Sequence, residues 1–141
     1  MVDYRLELVG IPVSDVDRAK KFYGETLGWP VDNDQVVSDD VRFIQVTPPG
    51  SACSIAFGKG ISEMEPGSQK GLQVVVTSAD DAFADLRERG VETSEIDDQP
   101  WGRFVYFSDP DGNSWSVQQL PDYSKLEQWE NDNDVKSGET G

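Results

Sequence analysis

Three observations on this 141-residue chain predict an α+β fold built from two tandem βαβββ modules. A turn signal, Val46-Thr47-Pro48-Pro49-Gly50, recurs 62 residues later as Ser108-Asp109-Pro110-Asp111-Gly112, each time ahead of a β-like run. A helix start recurs too, since Ser14-Asp15-Val16-Asp17-Arg18-Ala19 is echoed by Ser78-Ala79-Asp80-Asp81-Ala82, both with the Ser-x-x-Asp spacing of a capping box. The chain is also too short for two independent cores, so the copies are expected to be halves of one domain over 1–121. Two matched units commonly build one site between them. Which residues each unit turns into that site then decides the function.

Module one is expected over 4–58. Leu6 to Val13 is an apolar β-like run, after which Ser14 is expected to cap a helix whose Val16, Ala19, Phe22, Tyr23 and Leu27 keep helical spacing. Gly28 is the expected stop. Three short strands follow near Val31 to Val37, Val41 to Val46 and Ala52 to Gly58, separated by Asp/Asn-rich and Pro-Pro-Gly turns. Lys59 to Lys70 has linker composition. Module two, over 70–120, opens with a strand from Gly71 to Thr77 and a helix from Ala79 to Arg89 that stops at Gly90. Val91 to Ile96, Arg103 to Phe107 and Ser114 to Leu120 are its remaining expected strands. Beyond Pro121, residues 122–141 form an acidic tail, expected as a short helix through Tyr123, Leu126 and Trp129 with a frayed end.

Composition removes several function classes. Twenty-seven acidic against twelve basic residues give a net charge of −15, which repels phosphate backbones and anionic lipid surfaces and favours a cationic partner. Nucleic acid is therefore not expected as a partner, and neither is a membrane, since no apolar run approaches the ~20 residues that span a bilayer. The opening residues alternate polar and apolar and lack the apolar core of an export signal, so a cytoplasmic protein is expected. The complete absence of histidine removes the usual general base near neutral pH and the commonest metal ligand. The single cysteine, Cys53, excludes an intrachain disulfide and a multi-cysteine zinc site. It reads as a small buried apolar residue.

Leu8-Val9-Gly10-Ile11-Pro12-Val13-Ser14-Asp15-Val16-Asp17-Arg18-Ala19-Lys20-Lys21-Phe22-Tyr23, followed by Leu27-Gly28-Trp29, resembles the first module of the vicinal-oxygen-chelate superfamily. Asp109-Pro110-Asp111-Gly112-Asn113 resembles its second-module hairpin. That superfamily includes glyoxalases, extradiol dioxygenases, fosfomycin-resistance transferases and bleomycin-binding proteins. The resemblance covers about residues 4–120 and implies a curled mixed sheet with a central cup, helices on its outer face, and a homodimer.

Where members of the superfamily hold a divalent metal, its ligands come from the first and last strand of each module. Counting by the motifs places Leu8, Ser54, Gly71 and Ser116 there, and none of these is His, Glu or Asp. No metal and no cofactor are therefore expected. Strand alternation turns Leu6, Leu8, Gly10, Ser54, Ala56, Gly71, Gln73, Val75, Ser114, Ser116 and Gln118 inward, a neutral lining suited to an organic molecule. Pro100-Trp101-Gly102-Arg103 resembles the segment ahead of the hairpin in bleomycin-binding and related metal-free members, and an aromatic at such a strand entrance either stacks on a planar ligand or covers a hydrophobic edge. Expected ligand contacts are Leu8, Ser54, Gln73, Trp101, Ser116 and Gln118. Trp115 falls on the opposite face, toward the core, while Asp109 and Asp111 read as turn formers and not as catalytic carboxylates. The expected function is metal-independent binding of a small organic ligand, with a cationic or planar natural product as the guest. The alternatives are a metal-free isomerase or lyase and, behind it, a metal-dependent lyase or dioxygenase.

Overall fold

The computed structural model describes residues 1–121, so the expectation for the tail at 122–141 falls outside the described residues. Module one contains β1 (Leu8–Gly10), α1 (Val16–Lys20) running into a π-helical turn (Lys21–Thr26), then β2 (Val31–Ser38), β3 (Val41–Val46) and β4 (Ser54–Lys59). Module two contains β5 (Leu72–Val76), α2 (Ala79–Glu88), β6 (Asp97–Gln99), β7 (Gly102–Ser108) and β8 (Ser114–Gln119). Two four-stranded sheets result, ordered β1-β4-β3-β2 and β5-β8-β7-β6. In each, the first strand pairs in parallel with the last and the other pairs are antiparallel. The duplicated sequence is thus a duplicated topology, as expected. None of the helices described is long and apolar enough to cross a membrane.

Both helices begin on a capping side chain, but in module one the cap is Asp15, not Ser14. The Asp15 carboxylate accepts from the Arg18 backbone N–H, as Ser78 Oγ accepts from that of Asp81. Ser14 is instead drawn across to module two, where its hydroxyl and backbone N–H both donate to the Asp111 carboxylate. From cap to stop glycine, Asp15 to Gly28 spans thirteen steps and Ser78 to Gly90 only twelve. The extra residue is accommodated as the π turn, marked by the Leu27 N–H donating to Phe22 C=O at 2.8 Å.

That widened turn carries Tyr23, wholly buried, into the middle of one aromatic cluster with Phe57 of β4 and Trp115 of β8, at ring distances of 5.5 and 6.0 Å. Its hydroxyl donates to Asp109 at 2.7 Å and accepts from Trp115 Nε1 at 3.0 Å. Asp109 also accepts from the backbone N–H groups of Asp111 and Asn113 and from Asn113 Nδ2, and Asn113 Nδ2 donates in turn to Pro12 C=O. The Asp-Pro-Asp-Gly-Asn turn therefore also serves as the bolt between the modules. Burial and the Asp109 charge raise the Tyr23 pKa well above the ordinary tyrosine range, so the phenol stays protonated.

Two strand expectations need correction. Only Leu8–Gly10 of the Leu6 to Val13 run pairs as a strand, because Leu6 is solvent-exposed and Pro12 lacks an N–H. The third strand of module two is Asp97–Gln99, whereas Val91 to Ile96 is irregular. Val91 is buried behind the end of α2, its N–H taken by Leu86 C=O. Further along, Ser94 meets β7 through one backbone bond and one side-chain bond to Tyr106, in place of a ladder.

Candidate functional site

Each sheet has one face covered by helix and core, and alternation assigns the rest to the other face. In module two the helix side takes Val105, Phe107, Trp115 and Val117, all buried. The remaining face carries Gln73 and Val75 of β5, Asp97 and Gln99 of β6, Phe104 and Tyr106 of β7, and Ser114, Ser116 and Gln118 of β8. In module one the same face carries Leu8, Phe43, Gln45, Ser54 and Ala56. Every Lys or Arg within the described strands, Arg42, Lys59 and Arg103, falls on the opposite face. Arg42 bonds there to Asp34 and Asp17, and Arg103 to Asp80 and Asp98.

On the module-two face, Gln73 Nε2 donates to Gln118 Oε1, and Gln118 Nε2 donates to the Trp101 backbone carbonyl at 2.9 Å. Gln118 is 8% exposed, while Trp101, whose backbone carbonyl it holds, is 60% exposed. Gly102 makes this turn possible: its φ is +149°, and a Cβ there would lie 2.7 Å from Gln119 O. Beside them, Phe104 and Tyr106 stack with centroids 5.9 Å apart. Tyr106 Oη donates to Asp97 at 2.7 Å and Gln99 Nε2 donates to the same carboxylate at 2.9 Å. The hydrogen bond to Asp97, more than burial, raises the Tyr106 pKa above its ordinary value. In module one, Thr47 Oγ1 donates to Asp32 and bonds to Ser54 Oγ.

Leu8 therefore stands opposite Ser54, and Gln73 opposite Ser116, with Gln118 and Trp101 joined to Gln73 by hydrogen bonds. Ser54 and Gln73 line one crevice of about 380 Å³ between the two sheets, with Leu6, Cys53 and Trp115. A larger cleft of about 890 Å³ opens where β6 stops short, running from Tyr106, Ser114 and Ser116 round to Phe22 and Val91. Cys53 is half-buried, not fully buried as expected. Counting from the motif valine named Gly71 as the counterpart of Leu8. The register gives Gln73, and Gly71 precedes β5 with a φ of +83°. Asp97, Gln99, Phe104 and Tyr106 were missed altogether, because which way a middle strand faces depends on its register.

The equivalent positions Leu8, Ser54, Gln73 and Ser116 offer an aliphatic side chain, two neutral hydroxyls and an amide already engaged with Gln118. Among the described residues no three His, Cys, Asp or Glu side chains converge. This donor set does not fit a divalent transition metal.

A family model described as Glyoxalase/Bleomycin resistance protein/Dioxygenase superfamily matches residues 5–117. Among solved structures, TnmS3, an antibiotic binding protein from Streptomyces sp. CB03234, is 38% identical with a TM-score of 0.77, covering 86% of this chain and 99% of its own. A glyoxalase/bleomycin resistance protein from the same organism is 39% identical with a TM-score of 0.72, covering 82% of this chain and 100% of its own. The protein YetH of Bacillus subtilis (strain 168) is 27% identical over 115 residues, which are 79% of this chain and 94% of YetH.

Proposed function

The chain belongs to the glyoxalase/bleomycin resistance protein/dioxygenase superfamily, and we propose that it captures a planar organic molecule in its cup without the help of a metal ion. The observation that carries this reading is the exposed Trp101, held at the rim by its own carbonyl through buried Gln118. A large aromatic surface left in water on a pinned turn costs hydration free energy, which stacking on a flat guest recovers. The Phe104–Tyr106 stack on the same face adds a second aromatic surface. The likeness to TnmS3 supports an antibiotic or related natural product as the guest, and the donor set described above supports metal independence. The exposed apolar side chains Leu6, Val36, Val37 and Val75 support a homodimer.

Titration with proflavine, a planar cationic dye, tests the reading through tryptophan fluorescence. Saturable quenching is expected, weakened about tenfold by Trp101→Ala. Binding that is unchanged in that variant contradicts the role of the rim.

One observation favours a second reading, a metal-free isomerase or lyase: Tyr106 and Asp97 form a hydrogen-bonded titratable pair on the cup face. Chemical conversion of a bound compound, abolished by Tyr106→Phe, would replace capture with catalysis.

A further inference from the structure

We propose that the larger cleft of module two is a subsite for a sugar, so that the guest favoured by the cup is a glycoside of a planar molecule and not the bare ring system. The inference rests on the binding function proposed above and adds a chemical class to its guest.

The cleft exists because the two modules finish their outer strands differently. In module one, β2 reaches back to Val31, which pairs with Val46, and the Thr47 N–H is taken by Pro30 C=O. The same strand brings Asp32 to the Thr47 hydroxyl, and Thr47 bonds Ser54 in turn, so both hydroxyls at that end of the face are engaged. In module two, β6 begins only at Asp97, and Ser94 supplies the last contact with β7 by bonding both backbone groups of Tyr106. Backbone groups alternate between the two edges of a strand, so two residues further on Ser108 turns its N–H and C=O to the edge that β6 leaves uncovered.

Three hydroxyls gather at the same place. Ser108 and Ser114 stand directly opposite on β7 and β8, and Ser116 follows two positions after Ser114, opposite Tyr106. All three line the cleft of about 890 Å³, a volume within the usual range of about 300–1,000 Å³ for small-molecule pockets. Whereas Thr47 and Ser54 are bonded, none of these serine hydroxyls bonds another group among the described residues.

A hydroxyl both donates and accepts, and the N–H and C=O of Ser108 together do the same. The appendage that answers such a surface carries adjacent groups with the same double capacity, which is the chemistry of a pyranose ring and its vicinal hydroxyls. Tyr106, 38% exposed, gives the cleft an aromatic flank against which the C–H face of a sugar packs. Other appendages fit worse. Among the described residues, no Lys or Arg lines the cleft and Glu92 does, so a phosphate or carboxylate finds no countercharge. An alkyl group would take water from the serines and return no hydrogen bonds. A peptide strand would find one free rung, at Ser108, which is too little for strand addition.

The cleft is also placed to extend the cup. Tyr106 and Ser116 belong to both, and Ser116 stands opposite Gln73. From Gly102 to Ser108 β7 runs about 20 Å at about 3.4 Å per residue, so a ring system beneath Trp101 reaches the serines through an appendage.

Tryptophan-fluorescence titrations with quercetin and with its 3-O- and 7-O-glucosides test this, since the two attachment points send a sugar off either edge of one ring system. The better glucoside is expected to bind about tenfold more tightly than quercetin, the yield of one or two net hydrogen bonds. In a double variant, Ser108→Ala with Ser114→Ala, that advantage is expected to fall to about threefold or less. Neither hydroxyl has a partner to lose, so the variant keeps its fold. Quercetin binding as tightly as both glucosides, or an advantage that the double variant leaves intact, overturns the sugar subsite while capture of planar molecules stands. If quercetin, its glucosides and proflavine all fail to bind, the underlying reading falls and takes this one with it.

Discussion

The two modules share a topology and differ in what their helices do. In module two, α2 is a regular ten-residue helix that lays Ala79 and Leu86 onto its own sheet. In module one, five α-helical residues give way to a π turn that swings Tyr23 toward the other module's hairpin. The duplication is therefore symmetric in its sheets and asymmetric in its bolt. Module one has one residue more between cap and stop glycine, taken up in the π turn that carries Tyr23, and the buried Tyr23–Asp109–Asn113 network fixes how the two halves meet.

The strongest way to break that contrast is Tyr23→Phe. The change strands Trp115 Nε1–H and removes one of the four donors to buried Asp109, at a cost of about 2–3 kcal/mol in urea unfolding. It also alters the response to alkali. Because the folded-state pKa of Tyr23 is raised, its contribution is whole below the unfolded tyrosine value of about 10 and is lost as the pH climbs beyond it. The wild type should weaken above about pH 10 more steeply than the phenylalanine variant. Parallel alkaline profiles would refute the fastening role.

Next in size is Gly102→Ala, which forces a side chain into a φ of +149° and against Gln119 O. A loss of about 1–3 kcal/mol is expected, together with weaker binding of planar guests as the Trp101 turn shifts. Smaller again are the caps. Asp15→Ala and Ser78→Ala should each cost about 1 kcal/mol by thermal unfolding. Ser14→Ala should cost less than either, since it forfeits only exposed contacts, with Asp111 and Arg18, and a larger loss there would restore Ser14 as the cap.

The smallest expected effect lies in the ion pairs of module one. Hydrogen bonds from Arg42 and then Lys20 hold the Asp34 carboxyl below the usual carboxylate range. That contribution is present above about pH 4 and disappears as the pH falls through it and below. Arg42→Gln should cost less than about 1 kcal/mol at neutral pH and nothing measurable in strong acid.

Much of this was legible in the chain, and the gaps have physical causes. The repeated turn and helix-start signals gave the two βαβββ units and their glycine stops, because caps and left-handed glycines are local events. The repeat even carries the bulge. Its spacing is 63 between Asp15 and Ser78 but 62 between Gly28 and Gly90, and that single step is the residue absorbed by the π turn. The same offset shows why Ser14 was misread, since Ser78 aligns with Asp15. The cup was only half legible. First and last strands follow motifs that pin their phase, which put Leu8, Ser54, Gln73, Ser116 and Gln118 in view. The phase of β6 and β7 is set by cross-strand packing and by Ser94 standing in for a strand, so Asp97, Gln99, Phe104 and Tyr106 carried no local mark.

The central claim is that a planar guest sits on the open face of the module-two sheet beneath Trp101. Backbone amide shifts recorded by NMR during titration with quercetin locate it directly. The account predicts changes concentrated at Gln73, Trp101, Tyr106 and Gln118. Changes confined to α2 and the Arg103 side of the sheet, with those four residues silent, would contradict it.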